Sequence, residues 1–461
     1  MIAPARLAAY QTLIAVSTLR RDLPSALADA RARLNDPRDR SLTTEIATGT
    51  LRWRGQLDHL IEHFTHRSLS RLDQEIVEIL RLSLYQILFL DRIPTSAAVN
   101  AAVELSRTLG KASAAGFVNG VLRAVSRNRH ALPLPPRPAA GRIDDAETAD
   151  KSALDYLSAT LSHPRWLAAR WLTRYGLAGA EAWERFNNAA PPLTLHVNTL
   201  KTSVGELVEA LARYNVGVEP ARFAPDALVV SAGNPLATPL AESGVFIIQD
   251  EASQLVARLT GVRSGEHVFD ACAAPGGKTL VMCSMMGDRG LLVANDARPK
   301  RLALLRRTIA MSGARSIRIV QSDVSRSSPF RNRFDCVLID APCSGLGTLR
   351  RDPEIRWRRV EPDLRRFAET QASLLAEAAN LVRPGGRLLY ATCSSEPEEN
   401  DDVVAAFLDR QRMFALVHPR SLDPELPEGL AAVLDERGCL RTSPSDHGLE
   451  AFFGAVLCRR A

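Results

Sequence analysis

The stretch FDACAAPGGKTL, residues 269–280, decides how the second half of the chain is interpreted. An apolar run ends at Asp270, and a Pro-Gly-Gly turn then leads into Lys278 and a second apolar run. The later half of the stretch fits the phosphate-binding loop G-x-x-x-x-G-K-[ST], but Cys272 stands where that loop has its first glycine. The stretch therefore predicts a nucleotide site and leaves the class of nucleotide open.

Four further apolar runs follow it, at 291–297, 317–323, 334–342 and 387–394, and helical stretches alternate with them. This alternation predicts a parallel sheet covered on both faces, as in a Rossmann-like doubly wound fold. Ligands bind such folds at the carboxyl ends of the strands. Polar residues end all five predicted strands: Asp270, Asp296, Asp323, Asp340 and Cys393.

The remainder of the chain divides into three parts. Residues 1–130 have apolar residues at helical spacing and predict an all-helical domain, and residues 131–150 form a Pro-rich, then acidic linker. Residues 151–248 predict short helices and a small α/β module, which leaves 249–461 for the doubly wound domain.

The composition is typical of a soluble globular protein: of 461 residues, 46% are hydrophobic and 24% are charged. The most apolar helix carries Arg81 and Gln86, is too short to cross a bilayer, and is expected to be buried. The first residues do not resemble a signal peptide. Seven cysteines without a C-x-x-C pair predict neither a zinc site nor a disulfide framework, and favour a cytoplasmic protein.

The basic charge is concentrated in the helical segment. Residues 1–130 carry 18 Lys and Arg against 12 Asp and Glu, whereas the rest is balanced at 40 against 40. This pattern suggests a surface for nucleic acid, with an ordinary solvated helical surface as the alternative. Residues 349–359, LRRDPEIRWRR, combine five arginines with Trp357 and suit single-stranded RNA. A helix start around a core tryptophan would give the same pattern.

Carboxylates at the strand ends favour a nucleoside cofactor without phosphates. Several carboxylates would not help an NTPase without a metal, and a nicotinamide dehydrogenase would need G-x-G-x-x-G after the first strand. S-adenosylmethionine fits better, because Asp296 can accept hydrogen bonds from its ribose and Asp323 lies on the next strand, toward the adenine.

Two cysteines lie at the same predicted edge. Cys343 follows the fourth strand and Cys393 ends the fifth, so both thiols are expected near one cofactor methyl group. A thiolate that adds to carbon 6 of a pyrimidine makes carbon 5 nucleophilic enough to accept a methyl group. Asp340, if kept neutral by burial, could donate a hydrogen bond to the ring nitrogen. The residues alone do not decide which cysteine is the nucleophile.

These motifs resemble those of the bacterial 16S ribosomal RNA cytosine-C5 methyltransferase family, within the Nop2/Sun group. The resemblance covers nearly the whole chain. Its motifs are VFIIQDEASQLVARL (245–259), DACAAPGGKT (270–279), DAPCSGLGTLRRDPEIRW (340–357) and YATCS (390–394), and GFVNGVLR (116–123) is similar to the NusB-like RNA-binding domain of one subfamily. The implied fold combines a NusB-like domain, a ferredoxin- or RRM-like module and a Rossmann-like methyltransferase domain.

The resemblance implies an S-adenosylmethionine-dependent enzyme that forms 5-methylcytosine in 16S rRNA through a covalent cysteine–cytosine intermediate. It implies that Cys393 is the nucleophile and that Cys343 assists product release, with Asp340 beside them. The implied cofactor-binding residues are Cys272, Ala273, Ala274, Pro275, Gly276, Gly277, Lys278, Asp296, Asp323 and Asp340.

One departure from the family pattern concerns the end of the chain. The family usually closes with Asp-Gly-Phe-Phe, whereas Glu450-Ala451 precede the Phe pair here, which we interpret as a neutral change beside an edge strand. The alternative functions are the same chemistry on tRNA and a non-catalytic RNA-binding assembly factor. We expect a monomer that binds RNA and needs neither a metal nor a membrane, and the sequence does not predict which cytosine is modified.

Overall fold

The computed structural model describes four stretches of the chain: 2–18, 21–138, 146–326 and 330–461. It separates into two compact units, Met1–Ala190 with Leu349–Glu361, and Pro191–Thr348 with Pro362–Ala461. Residues 139–145 of the predicted linker lie outside the described residues. Within the described stretches, no helix is long and apolar enough to cross a membrane.

The first unit is built from helices, as predicted for the start of the chain. Asp36 caps one of these helices, because its carboxylate accepts a hydrogen bond from the Arg38 N–H at 2.8 Å. The helices are α1 (Pro4–Ser17), α2 (Leu23–Ala32), α3 (Pro37–Arg52), α4 (Arg54–Thr65), α5 (Gln74–Phe89), α6 (Thr95–Thr108), α7 (Ala115–Arg127), α8 (Ala146–Asp155) and α9 (Arg165–Asn188), and Leu349–Glu361 adds α14 (Ile355–Arg358).

Helix α5 is the apolar helix expected to be buried, and every residue from Ile76 to Ile87 is buried. Its Arg81 is neutralised inside the unit by Asp58 and Glu78, at 2.6 and 2.7 Å. Burial lowers the pKa of Arg81, but these two carboxylates outweigh it and raise that pKa above its ordinary value. A charged residue is therefore accommodated in a core helix by local pairing.

Two residues of the arginine-rich segment 349–359, Arg356 and Trp357, bond to other residues of the first unit. Arg356 is fully buried and donates hydrogen bonds to the Ser162 carbonyl and the Asn188 side chain at 3.1 and 2.8 Å. The Trp357 Nε1 donates to the Leu51 carbonyl at 2.6 Å. The expectation of RNA contacts is therefore wrong for Arg356, which is buried and donates to oxygens of its own unit, whereas base stacking by the half-buried Trp357 ring stays a prediction.

The second unit begins with a small antiparallel sheet in the order β2-β3-β1-β4. Helix α10 (Val204–Ala212) packs with it and starts with a capping box between Ser203 and Glu206. The strands are β1 (Thr194–Val197), β2 (Gly217–Pro220), β3 (Ala227–Ala232) and β4 (Phe246–Ile248).

The large sheet of the second unit has the order β10-β12-β9-β8-β5-β6-β7, with β11 paired to β12. Its strands are β5 (His267–Asp270), β6 (Leu291–Asn295), β7 (Ile317–Val320), β8 (Phe334–Asp340), β9 (Val382–Thr392), β10 (Phe414–Leu416), β11 (Leu440–Arg441) and β12 (Phe453–Arg459). Its helices are α11 (Glu251–Leu259), α12 (Gly277–Met285), α13 (Pro299–Ser312), α15 (Pro362–Ala379), α16 (Asp401–Arg410), α17 (Glu428–Ala431) and α18 (Pro444–His447).

The predicted parallel sheet is confirmed for β5 to β9, which are joined by parallel pairings. The strand order reverses between β5 and β8, and this topological switch point is where doubly wound folds bind ligands. The sheet is nevertheless mixed, because β12 pairs antiparallel with both β9 and β10.

The position of β12 corrects the interpretation of the departure at the end of the chain. Glu450 and Ala451 precede a central strand whose residues from Phe453 to Leu457 are buried, so the prediction of an edge strand is wrong. The Ala451 N–H donates to the Gly347 carbonyl at 3.0 Å. Ala451, the second residue of this pair, therefore contacts the loop that follows Cys343.

Candidate active site

Cys343 and Cys393 meet at the carboxyl edge of the large sheet. β8 and β9 are parallel neighbours with Asp340 opposite Ala391, and each cysteine comes shortly after the end of its strand. The two Sγ atoms are 3.2 Å apart. The hydrogen bond with Cys343 and burial together raise the pKa of the Cys393 thiol well above its usual value. The two predicted thiols thus lie at one site.

Two residues that the sequence reasoning missed hold these loops. Glu399 accepts hydrogen bonds from Ser344 and Ser394, the residues that follow the two cysteines. Asn400 accepts one from Thr392 and donates another to the Ser394 carbonyl at 2.9 Å. In the sequence these residues appear only as part of an acidic loop, SEPEEN, after Cys393. Only the folded chain shows that they support both loops.

Lys278 and Asp340 form an ion pair beside the thiols. The Lys278 Nζ lies 2.8 Å from the Asp340 Oδ2, and the Lys278 side chain is 12% exposed. Burial lowers the pKa of Lys278, but Asp340 outweighs it and raises that pKa above its ordinary value. Lys278 in turn lowers the pKa of Cys393, whereas Asp340 raises it. The two members of the ion pair therefore act in opposite directions on the pKa of Cys393.

Asp270, at the end of β5, contacts the first turn of the helix that follows the loop. Its carboxyl is buried and accepts a hydrogen bond from the Thr279 hydroxyl at 2.7 Å. Burial raises the pKa of Asp270 to about 7. Thr279 belongs to α12, so this contact joins the end of the strand to the first turn of the helix.

The loop from Cys272 to Lys278 borders a cavity of about 100 Å³. Gly276 has a φ of +112°, a left-handed conformation that favours glycine, before α12 begins at Gly277. Gln249 and Ser253 line the same cavity, although the sequence reasoning assigned them no role. Their motif, VFIIQDEASQLVARL, was a signal that could have identified them.

A second cavity of about 160 Å³ lies on the other side of Cys272. Asp296 and Asp323, the carboxylates predicted at the ends of β6 and β7, both line it. Burial raises the pKa of the Cys272 thiol, and Cys272 lines both this cavity and the one beside the loop. Nine of the ten predicted cofactor residues, all except Gly276, therefore border one or both of two cavities, and Cys272 borders both.

These residues fit S-adenosylmethionine. The Asp296 Oδ2 is buried and accepts no hydrogen bond from the residues that the structure describes. The Arg301 Nε lies 3.6 Å from this oxygen, beyond hydrogen-bond distance, so the oxygen can still accept a hydrogen bond from a ribose hydroxyl. The cavity also offers the apolar Val324 and Pro342 for a flat ring. A nucleoside without phosphates therefore suits this site better than a triphosphate.

Three family profiles match the chain. The profile of the 16S rRNA methyltransferase RsmB/F matches residues 258–458, the NusB family matches 3–127, and the ferredoxin-like domain of RsmF/B-like methyltransferases matches 163–237. A probable ribosomal RNA small subunit methyltransferase B from Bacillus subtilis is 35% identical over 90% of this chain and 89% of its own length. The chain belongs to the ribosomal RNA small subunit methyltransferase B family. A member from Pseudomonas putida is 34% identical over 88% of this chain and 89% of its own.

Solved structures share the fold of this chain. The crystal structure of PH0851 covers 99% of both chains at 26% identity, with a TM-score of 0.79. A methyltransferase homolog protein from Pyrococcus horikoshii matches 67% of this chain and 99% of its own at 27% identity, with a TM-score of 0.56.

The family confirms the resemblance seen in the sequence and the predicted fold. A member of the methyltransferase B family has a NusB-like helical domain, a small ferredoxin-like module and a methyltransferase domain, and all three are present here. The family also confirms the expected cofactor, since these enzymes are S-adenosylmethionine-dependent methyltransferases of ribosomal RNA.

Proposed function

We propose that this protein forms 5-methylcytosine in 16S rRNA through a covalent bond between Cys393 and carbon 6 of the target cytosine. The observation that carries the proposal is the pair of thiols, with Sγ atoms 3.2 Å apart, beside the Lys278–Asp340 ion pair. Carbon 5 of cytosine is a poor nucleophile, so an enzyme that methylates it must first activate the ring. A second thiol beside the first is suited to the later step in which the methylated base is released.

In the forward step, the Cys393 thiolate adds to carbon 6 and makes carbon 5 electron-rich. Bound S-adenosylmethionine supplies the methyl group as a sulfonium-linked carbon. The hydrogen bond with Cys343 and burial raise the pKa of Cys393 overall, and the adjacent charge of Lys278 opposes that rise. We assign Asp340 to the ring nitrogen that gains electron density, with Lys278 as a proton source 2.8 Å from its Oδ2.

In the release step, the thiolate form of Cys343 takes the proton from carbon 5 and becomes the thiol. The electron pair of that C–H bond re-forms the ring double bond, and the Cys393–carbon 6 bond breaks to return the thiolate. Cys343 is suited to this step because its sulfur lies next to that of Cys393. At the end of the step, Cys343 holds the proton and the neighbouring Cys393 is the released thiolate.

The cofactor would be held by the loop from Cys272 to Lys278, with Asp296 on the ribose and Asp323 toward the adenine. Asp296 is suited to the ribose by its buried oxygen without a donor among the described residues. Cys272, which borders both cavities, would form the wall between the ribose and the reacting end.

We assign substrate binding to residues 1–130 and 151–248 and the chemistry to residues 249–461, as the sequence predicts. The match of residues 3–127 to the NusB family supports an RNA-binding role for the first segment. We further propose a cytoplasmic monomer, for which light scattering of the purified protein, with and without RNA, is the direct measurement.

Methyl transfer from tritiated S-adenosylmethionine to naked small-subunit rRNA tests the proposal. Label is expected in RNA, and nuclease digestion should recover it as 5-methylcytidine. Cofactor binding without label in RNA or in small ribosomal subunits would sink the enzymatic proposal and leave the assembly-factor alternative. Bisulfite sequencing of a deletion strain then separates 16S rRNA from tRNA as the substrate.

A further inference from the structure

The Glu399 carboxylate is a buried centre of hydrogen bonding between the two cysteine loops. It accepts hydrogen bonds from the Ser344 N–H and hydroxyl, the Ser394 hydroxyl and the Gln371 amide. Glu399 and its three partner residues are each at most 1% exposed. Four donors match the four lone-pair sites of an ionised carboxylate, so the acceptor is fully used.

The residues around Cys343 are held on both sides of the cysteine. Ser344 donates to Glu399, and the Gln371 amide donates to the Pro342 carbonyl as well as to Glu399, both at 3.0 Å. The Tyr390 hydroxyl donates to the carbonyl of Glu399 at 2.6 Å and so fixes the backbone of the acceptor. Glu399 and Gln371 therefore fix the chain before and after Cys343.

The residues around Cys393 are held in the same way. Ser394 donates to Glu399, and Asn400 bonds with the Thr392 hydroxyl and the Ser394 carbonyl. Asn400 follows Glu399 directly, so one short segment contacts both neighbours of Cys393. Glu399 is the residue common to the two arrangements.

We propose that Glu399 is a positioning residue that sets the distance between the Cys343 and Cys393 thiols. This inference rests on the proposed function, in which both thiols act on one base. Attack by one sulfur and proton removal by the other need geometries held to a fraction of an ångström. A buried, charge-assisted network supplies such rigidity because every bond in it strengthens the others.

A cross-linking experiment without RNA tests the positioning directly. Dibromobimane joins two neighbouring thiols, and mass spectrometry identifies the Cys343–Cys393 bridge. Glu399→Ala should slow this bridging at least about tenfold, because four donors lose their acceptor and the loops separate. Glu399→Gln should stay within about threefold of wild type, since its remaining oxygen keeps the N–H donors and the serine hydroxyls can turn to accept from the amide.

Glu266→Ala is the matched control. Glu266 also accepts several hydrogen bonds, from Arg387 at 2.6 and 2.9 Å and from the Arg263 N–H at 3.0 Å, but it precedes β5 at the opposite edge of the sheet. Its loss tests general destabilisation of the unit. Equal bridging rates in Glu399→Ala and Glu266→Ala would overturn the inference.

Single-turnover methylation gives the second measurement. Glu399→Ala should lower the rate of transfer about a hundredfold at saturating cofactor, with the Kd for S-adenosylmethionine within twofold of wild type. If wild type transfers no methyl group to RNA, the proposed function fails, while the bridging rates still decide the inference. A normal rate of transfer in Glu399→Ala overturns the inference whatever the bridging result.

Two serine variants keep the inference testable if Glu399→Ala does not fold. Ser394→Ala should slow formation of the RNA adduct, because it frees the Cys393 loop, and Ser344→Ala should slow release of that adduct. Both should reduce thiol bridging, by about threefold or more, in line with the loss of one hydrogen bond. Wild-type bridging in both variants would refute the role assigned to Glu399.

Discussion

The sulfur atoms of Cys343 and Cys393 lie 3.2 Å apart although fifty residues separate them along the chain. Their strands, β8 and β9, are parallel neighbours, so the residues that follow them emerge at one edge. The contact raises the pKa of Cys393 through the hydrogen bond between the thiols and through burial. Two sulfur atoms in this relationship can divide a reaction into attack and release.

The two cysteines should have opposite effects when they are replaced. Cys393→Ala should lower methyl transfer at least about a thousandfold because the nucleophile is lost, with cofactor affinity unchanged. Cys343→Ala should permit attack but block release, so that RNA stays covalently attached on a denaturing gel. Cys458→Ala, in β12 and away from the site, serves as the control. An adduct that accumulates in Cys393→Ala would reverse the assignment.

The rate should rise with pH. The pKa of the Cys393 thiol is raised, so its thiolate fraction grows with pH throughout the neutral range, and log kcat/KM should climb from pH 7 to pH 9 with a slope near one. Lys278→Met should move this rise to higher pH, because Lys278 lowers the pKa of Cys393. A flat profile between pH 7 and pH 9 would contradict the mechanism.

Asp270 should make the protein less stable as the pH rises. Its carboxyl has an ordinary pKa of 3.8, which folding raises to about 7. Between these values the folded state binds more protons than the unfolded state, so the free energy of unfolding falls with pH and levels off above 7. Between pH 5 and pH 8, the decrease in the free energy of unfolding should be about 3 kcal/mol smaller in Asp270→Asn than in wild type.

Urea unfolding at pH 5 and pH 8 checks this prediction. Asp335→Asn is the control, since Asp335 lies at the start of β8 and pairs with Arg383, so its replacement removes another aspartate of the same sheet. An identical loss of stability between pH 5 and pH 8 in wild type and Asp270→Asn would rule out the titration of this carboxyl.

Asp296→Asn should weaken S-adenosylmethionine binding about tenfold to a hundredfold. The substitution removes a charged acceptor whose Oδ2 accepts no hydrogen bond from the described residues and is assigned to the ribose. Calorimetric titration with S-adenosylhomocysteine gives the Kd without turnover. Asp335→Asn should bind normally, and an equal Kd in both variants would exclude the proposed ribose contact.

Arg356 and Arg358 should differ although they are two residues apart. Arg356 is fully buried in the first unit and bonds to Ser162 and Asn188, so Arg356→Ala should destabilise that unit by about 3 kcal/mol. Arg358 is exposed, and Arg358→Ala should change stability by less than about 0.5 kcal/mol. Circular dichroism during urea unfolding compares them, and equal midpoints would contradict the structural role of Arg356.

The carboxylates at the edge of the candidate site could be predicted because these residues follow strands. An apolar strand with a polar residue at its end is a local pattern, and parallel strands bring such ends together. Asp270, Asp296 and Asp340 are positioned in this way. The arginines of 349–359 show the limit of this reasoning. Composition cannot distinguish an arginine that is free to bind phosphate from one that is bonded inside the protein. Arg356 is of the second kind, because it donates to carbonyls of its own unit.

The sequence by itself determined the family, the alternation of strands and helices, and the residue types at the candidate cofactor site, because each depends on short motifs or on local periodicity. Only the tertiary structure decided what holds the two cysteines together. Glu399 contacts Ser344, which is 55 residues away, and Ser394, which is five residues away. No local pattern marks such a residue, because its role depends on which buried donors the folded chain brings around one carboxylate.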